Sequence, residues 1–208
     1  MANDWLREKL QYDKVFESFE KVFSFFGEYY KSIFISDVLL QLNDKKARKA
    51  LGSFSPFSME ITLNDVRTQI LQNHLDCVIA HEVAHLIDHV RRNKYSNYKY
   101  SSSKRGSMER VIAEMFRSKM TPVPQKRTNY RGKTCELFAR AIEEYYAIYT
   151  KNENWIEHLE NWDYYVNIDD FNKVLFPIVD NYIKALKIQT YKNNFMNTST
   201  AKIINWLK

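Results

Sequence analysis

The chain has 208 residues, 45% apolar, 27% charged and 15% aromatic, enough for one domain with a sizeable core and too apolar for a disordered chain. Four glycines and four prolines are too few for the turns of a sandwich or barrel, so an all-β fold is excluded and a predominantly helical one expected. The formal charge of +6 is mild, no run is long enough to span a bilayer, and MANDWLREKLQYDK lacks the apolar stretch of a secretory signal, so the expected setting is cytoplasmic, without a membrane partner.

Leu6, Leu10, Phe16, Phe19, Phe23 and Phe26 recur at helical spacing after Asp4, a capping candidate, and predict a first helix ending near Gly27. Ser36 or Asp37 is expected to cap a second helix carrying Val38, Leu39 and Leu42 and closing at Gly52. From Ser53 to Leu63 the period changes to two, with Phe57, Met59, Ile61 and Leu63 alternating with polar residues, which predicts a half-buried strand. Asn64 or Asp65 then caps a long helix whose apolar set runs from Val66 to Val90. A polar stretch from Asn93 to Gly106 reads as a surface loop. Further helices are expected at Met108 to Lys119, Thr134 to Thr150, Glu153 to Asn161, Asp169 to Leu186 with a break at Pro177, and Ser199 to Leu207. Cys77 and Cys135 are expected to be free structural thiols.

Inside the long helix stands His81-Glu82-Val83-Ala84-His85. Two imidazoles four residues apart project from one helix face and can meet one ion, and Glu82 beside the first can take a proton from a metal-bound water. A catalytic zinc needs a third protein ligand. Arg91 occupies the position of the third metzincin ligand, and Asp88 replaces that pattern's glycine, so that variant fails. His89 and His74 each lie about 10 Å or more along the helix axis from one member of the pair, so the ligand should come from another helix. In ELFARAIEEY, Glu136, Arg140 and Glu143 share one face while Phe138, Ile142 and Tyr145 share another; Glu136 is the first choice, and Glu143 remains the alternative. Asp88, one turn beyond His85, is expected to orient a ligand or to pair with Arg140.

HEVAHLID followed by ELFARAIEEY resembles the gluzincin peptidases related to the anthrax lethal factor catalytic domain, and the zincin domains of phage and mobile-element polyvalent proteins. The resemblance spans about Phe57 to Tyr146. It implies an α+β, zincin-like fold with a small sheet beside the His-Glu-x-x-His helix, one Zn²⁺ per chain on His81, His85 and Glu136, and Glu82 as general base of a metallopeptidase. It also implies a phenol shortly before the ligand glutamate, where Tyr130 stands, as a donor to the oxyanion. The expected organisation is a single unit, with a helical part over 1–52, a metal-site core over 53–150 and a second helical part over 151–208. The strand at Met59 and Ile61 is expected to align a protein or peptide substrate by strand addition.

Charge is unevenly spread: nine basic residues against two acids between Ser101 and Lys133, and six acids with no Lys or Arg between Asn152 and Asn172. The basic segment, interleaved with tyrosines, makes nucleic-acid contact a competing function. A zinc-binding pseudoenzyme acting as an interaction module is a third, disfavoured because a structural site has no use for a base beside the metal.

Overall fold

A computed structural model describes residues 2–43, 50–92, 99–120, 133–160 and 165–193. The amino-terminal aromatics build α1 (Ala2–Phe26), which runs through Asp4 rather than starting at it. Val15, Phe19, Val22, Phe23 and Phe26 form its buried stripe, at spacings of three and four. Phe16 falls off that stripe and is 52% exposed, contrary to expectation. Gly27, at φ 106, turns the chain into α2 (Glu28–Asp37). Ser36 and Asp37 therefore end a helix instead of capping one.

Val38 to Leu42 was expected to be helical, but Leu39–Asn43 is strand β1. Leu40 and Leu42 are half-buried while Leu39 and Gln41 are exposed, a period of two hidden within a short apolar run whose helix-compatible spacing is equally good. The strand expected from Ser53 to Leu63 is a hairpin of β2 (Gly52–Ser55) and β3 (Glu60–Asn64). Pro56 and Met59, the latter at φ 51, lie in the turn. Proline fixes its own φ and lacks an N–H for the ladder, so the alternation is broken there. Phe57, at the tip, is 91% exposed, whereas Ile61 and Leu63 are fully buried. The sheet order is β1-β3-β2, with β1 parallel and β2 antiparallel to β3. This mostly helical chain with one small mixed sheet is α+β.

The helix expected from residue 64 or 65 to Val90 is two helices, α3 (Val66–Leu71) and α4 (Leu75–Val90). Asn73 at φ 55 separates them, a left-handed conformation that asparagine tolerates better than most residues. Asp65 precedes α3 without a side-chain cap, and the Asn64 amide bonds to Ala50 instead. α4 is the centre of the molecule: Cys77, Ile79, Ala80, Val83, Ala84 and Leu86 are fully buried, and α1, β2 and α6 pack around it.

Beyond α4, Ser101–Ser103 form a 3₁₀ turn with Ser101 and Ser102 buried, where the sequence reads as surface loop. α5 (Met108–Lys119) is capped by Ser107, whose hydroxyl accepts from the Arg110 amide. α6 (Thr134–Thr150) lies against both α4 and α5. α7 (Glu153–Glu160) follows. A turn at Ile168–Asp170 and a π turn at Phe171–Leu175 lead into α8 (Phe176–Asn193). The irregularity expected at Pro177 takes the form of that π turn, which sits where proline removes a helix donor. Cys77 and Cys135 are free thiols. Among the described residues, no helix is long and apolar enough to cross a membrane. The expected helix at Ser199 to Leu207 lies outside the described residues.

Candidate metal centre

α4 and α6 pack side by side and bring His81, His85 and Glu136 together, one ligand atom of each lying within 4.8 Å of the others. The helix repeat places the two imidazoles on one face, with ring centroids 4.9 Å apart. Glu136 opens α6, where the helix dipole favours a carboxylate. The Nε2 atoms of His81 and His85 stand 3.8 and 3.4 Å from the two Glu136 oxygens. Ordinary N–H···O bonds are about 2.9 Å. Donors about 2.0–2.1 Å from one tetrahedral ion are about 3.3 Å from each other. The three side chains therefore suit a shared cation better than hydrogen bonds to one another.

Glu143, two turns along α6, makes a different contact. Its Oε2 is 2.8 Å from Nδ1 of His81 and also accepts from the Tyr165 hydroxyl at 2.9 Å. A Glu143 carboxylate holding the Nδ1 proton leaves the Nε2 lone pair directed at Glu136, the tautomer that a metal ligand requires. Of the two glutamates, Glu136 thus stands where a shared cation could be held, and Glu143 is bonded to Nδ1 of His81. Arg140, between them on α6, is buried with its guanidinium 5.8 Å from the Tyr165 ring centroid.

Glu82 is 4% exposed, and its Oε2 has no hydrogen-bond partner among the described residues. Burial pushes its carboxyl up to about 8, opposed by His81 and reinforced by Glu136 and Glu143. For His81, burial lowers the pKa, but the charge of Glu143 and its hydrogen bond prevail and the net direction is upward. A buried carboxylate oxygen without a partner is rare in native proteins and is accounted for where an ion or ordered water completes its bonding. The two imidazoles and the Glu136 carboxylate form a group that could hold a metal ion.

Asp88 does not serve His85. Its two oxygens accept from the amide and hydroxyl of Ser102, at 2.7 and 2.6 Å, while Nδ1 of His85 is buried without a hydrogen-bond partner among the described residues. Burial pushes Asp88 up to about 6 against those two bonds. The bond to Ser102 pins the 3₁₀ turn to α4 and sets the Tyr100 ring 6.0 Å from His85, centroid to centroid. His89 bonds through Nδ1 to the Lys99 carbonyl, and His74 packs on Trp155 and His158. Neither joins the cluster, as the helix spacing requires.

The substrate role expected for Met59 and Ile61 is not available. Met59 lies in the hairpin turn and Ile61 is fully buried in β3, whose two edges are both occupied by neighbours. Tyr130 lies outside the described residues, as do Lys126, Arg127 and Arg131 of the basic segment; of its described members, Lys104, Arg105, Arg117, Lys119 and Lys133 are exposed, and Arg110 pairs with Glu114. Tyr165 and Ser102 escaped the sequence reading because nothing in their spacing links them to His81 or Asp88. The single available signal, paired glutamates at Glu143 and Glu144 inside an apolar helix, pointed to the acceptor but not to its donor. No protein-family model, curated protein or solved structure matches the chain.

Proposed function

We propose that the chain is a zinc-dependent metalloendopeptidase in which His81, His85 and Glu136 hold the ion and Glu82 is the general base. The observation that carries this reading is the convergence of two imidazole Nε2 atoms on the Glu136 carboxylate at 3.8 and 3.4 Å, with the Glu82 carboxyl buried alongside. Zinc bound there would supply Lewis acidity and lower the pKa of its water to near 7. Glu143 and Tyr165 hold the His81 ring in its ligand tautomer. Glu82 takes a proton from the attacking water and delivers it to the amine released when the peptide C–N bond breaks, so the proton count balances.

An extended peptide is the substrate class that suits β2. This strand is bonded to β3 on one side, its other edge is unpaired among the described residues, and it packs on α4 beside Glu82. Strand addition along such an edge would align a backbone across the cluster.

Glu82→Gln tests the enzymatic reading. The amide keeps the shape and the metal ligands but cannot accept the proton, so zinc content should stay at the wild-type level while casein hydrolysis falls by about 10³-fold or more. Equal hydrolysis by wild type and variant would remove Glu82 as base and with it the enzymatic reading.

A further inference from the structure

The side chain of Glu82 has a definite neighbour above it. A Cβ built on Gly52 would lie 2.7 Å from Oε1 of Glu82, 2.9 Å from its Cγ and 3.0 Å from Cγ1 of Val78. Real Cβ atoms essentially never come within 3.0 Å of a heavy atom, so the Glu82 side chain would have to shift, while the Val78 contact at 3.0 Å is only tight. Gly52 is the first residue of β2 and pairs with Leu63, which is fully buried, so the strand cannot simply lift away. Glu82 is itself buried on α4. Glycine is entropically costly in a strand, and no positive φ accounts for it here, since Gly27 and Gly106 are the glycines that adopt one.

Resting on the metallopeptidase reading, we propose that Gly52 is a positioning residue for the general base: the missing side chain at the start of β2 is the space in which the Glu82 carboxylate sits. Any side chain there drives Oε1 away. Glu82 hydrogen bonds to no described residue through Oε2, so its position is determined by packing, and Gly52 is the wall of that packing. Catalytic groups must be held within about 0.5 Å of their productive place, and a misplacement of about 1 Å costs on the order of 10²-fold in rate. None of the three proposed ligands is among the atoms nearest that Cβ, so the same substitution should leave the metal in place.

The alternative is that Gly52 only lets β2 pack on α4 through Val78. A double-mutant cycle separates the two, with thermal stability read alongside zinc content and casein turnover. Gly52→Ala should retain one zinc per chain, lower kcat by about 100-fold with little change in KM, and lower Tm by on the order of 5 °C through overpacking. In a Glu82→Ala background, the same substitution should change Tm by less than about 1 °C, because the two atoms closer than 3.0 Å to the new Cβ are gone and only the Val78 contact at 3.0 Å remains. Relief by Val78→Ala in place of Glu82→Ala, or an equal loss of Tm in all backgrounds, would overturn the proposal. The stability coupling does not depend on hydrolysis: a chain that fails to cleave casein but shows the coupling contradicts the enzymatic reading and leaves the Gly52–Glu82 packing established.

Discussion

His81 has one ring nitrogen facing Glu136 and the other bonded to Glu143, so under the proposed function Glu136 would hold the ion and Glu143 would orient its ligand. Glu143→Ala should keep the fold of α6 but lose the acceptor that sets the His81 tautomer. Loss of such a partner typically weakens metal binding by about 10–100-fold, and competition against a chromogenic zinc chelator reads this directly. An unchanged affinity would mean that Glu143 does not orient the ligand. At this scale, the sequence was most legible where a helix imposes geometry: residues four apart on α4 share a face whatever else the chain does. It was least legible where partners meet only through tertiary folding. Asp88, one turn past His85, has the right spacing to serve it, yet Ser102 takes both its oxygens.

Among the elements, α4 ends in a buried polar knot that joins four parts of the chain. Glu109 of α5 accepts from Arg91 at 2.6 Å, from the Tyr182 hydroxyl at 2.8 Å and from Ser101 at 2.9 Å. Burial alone would raise the Glu109 pKa, but the hydrogen bonds from its own backbone, Arg91 and Tyr182 and the Arg91 charge overcome it and the net direction is downward. A carboxylate whose pKa is depressed on folding stabilises the protein above its unfolded value, about 4.3. That contribution is lost as pH falls through the folded value. Glu109→Gln should therefore cost about 2 kcal/mol at pH 7 in denaturant titrations, and the gap from wild type should close under strongly acidic conditions. A gap independent of pH would show that shape, not charge, matters there. The helices that the sequence located well, α5 and α6, have strong apolar stripes over three or more turns. β1 was misread because five residues satisfy a period of two and of 3.6 equally well, and the break before α4 because Asn73 carries no signal beyond its tolerance of positive φ.

In the whole molecule, α4 is enclosed by α1, β2 and α6, and the candidate centre is built from two of these helices. Binding an ion to His81 and His85 of one and Glu136 of the other would cross-link the core. At 100 times its dissociation constant, a ligand specific to the folded state adds about 2.7 kcal/mol, so removing the metal with a chelator should lower Tm by about 5–10 °C for a chain of this size. A Tm unaffected by chelation and by zinc re-addition would separate the cluster from the stability of the core. The predominance of helix was readable from composition, since so few glycines and prolines cannot serve a large sheet. The sheet order was not, because the parallel β1–β3 pairing joins segments about twenty residues apart through contacts that no local pattern encodes.

The most direct measurement is the zinc content per chain of protein purified from metal-replete medium, compared among wild type, Glu136→Ala and Glu143→Ala. The account predicts one zinc in wild type, loss of most of it in Glu136→Ala, and substantial retention in Glu143→Ala when free zinc is kept in excess. Wild type without zinc, or Glu136→Ala with a full complement, would contradict the assignment of His81, His85 and Glu136 as a metal site.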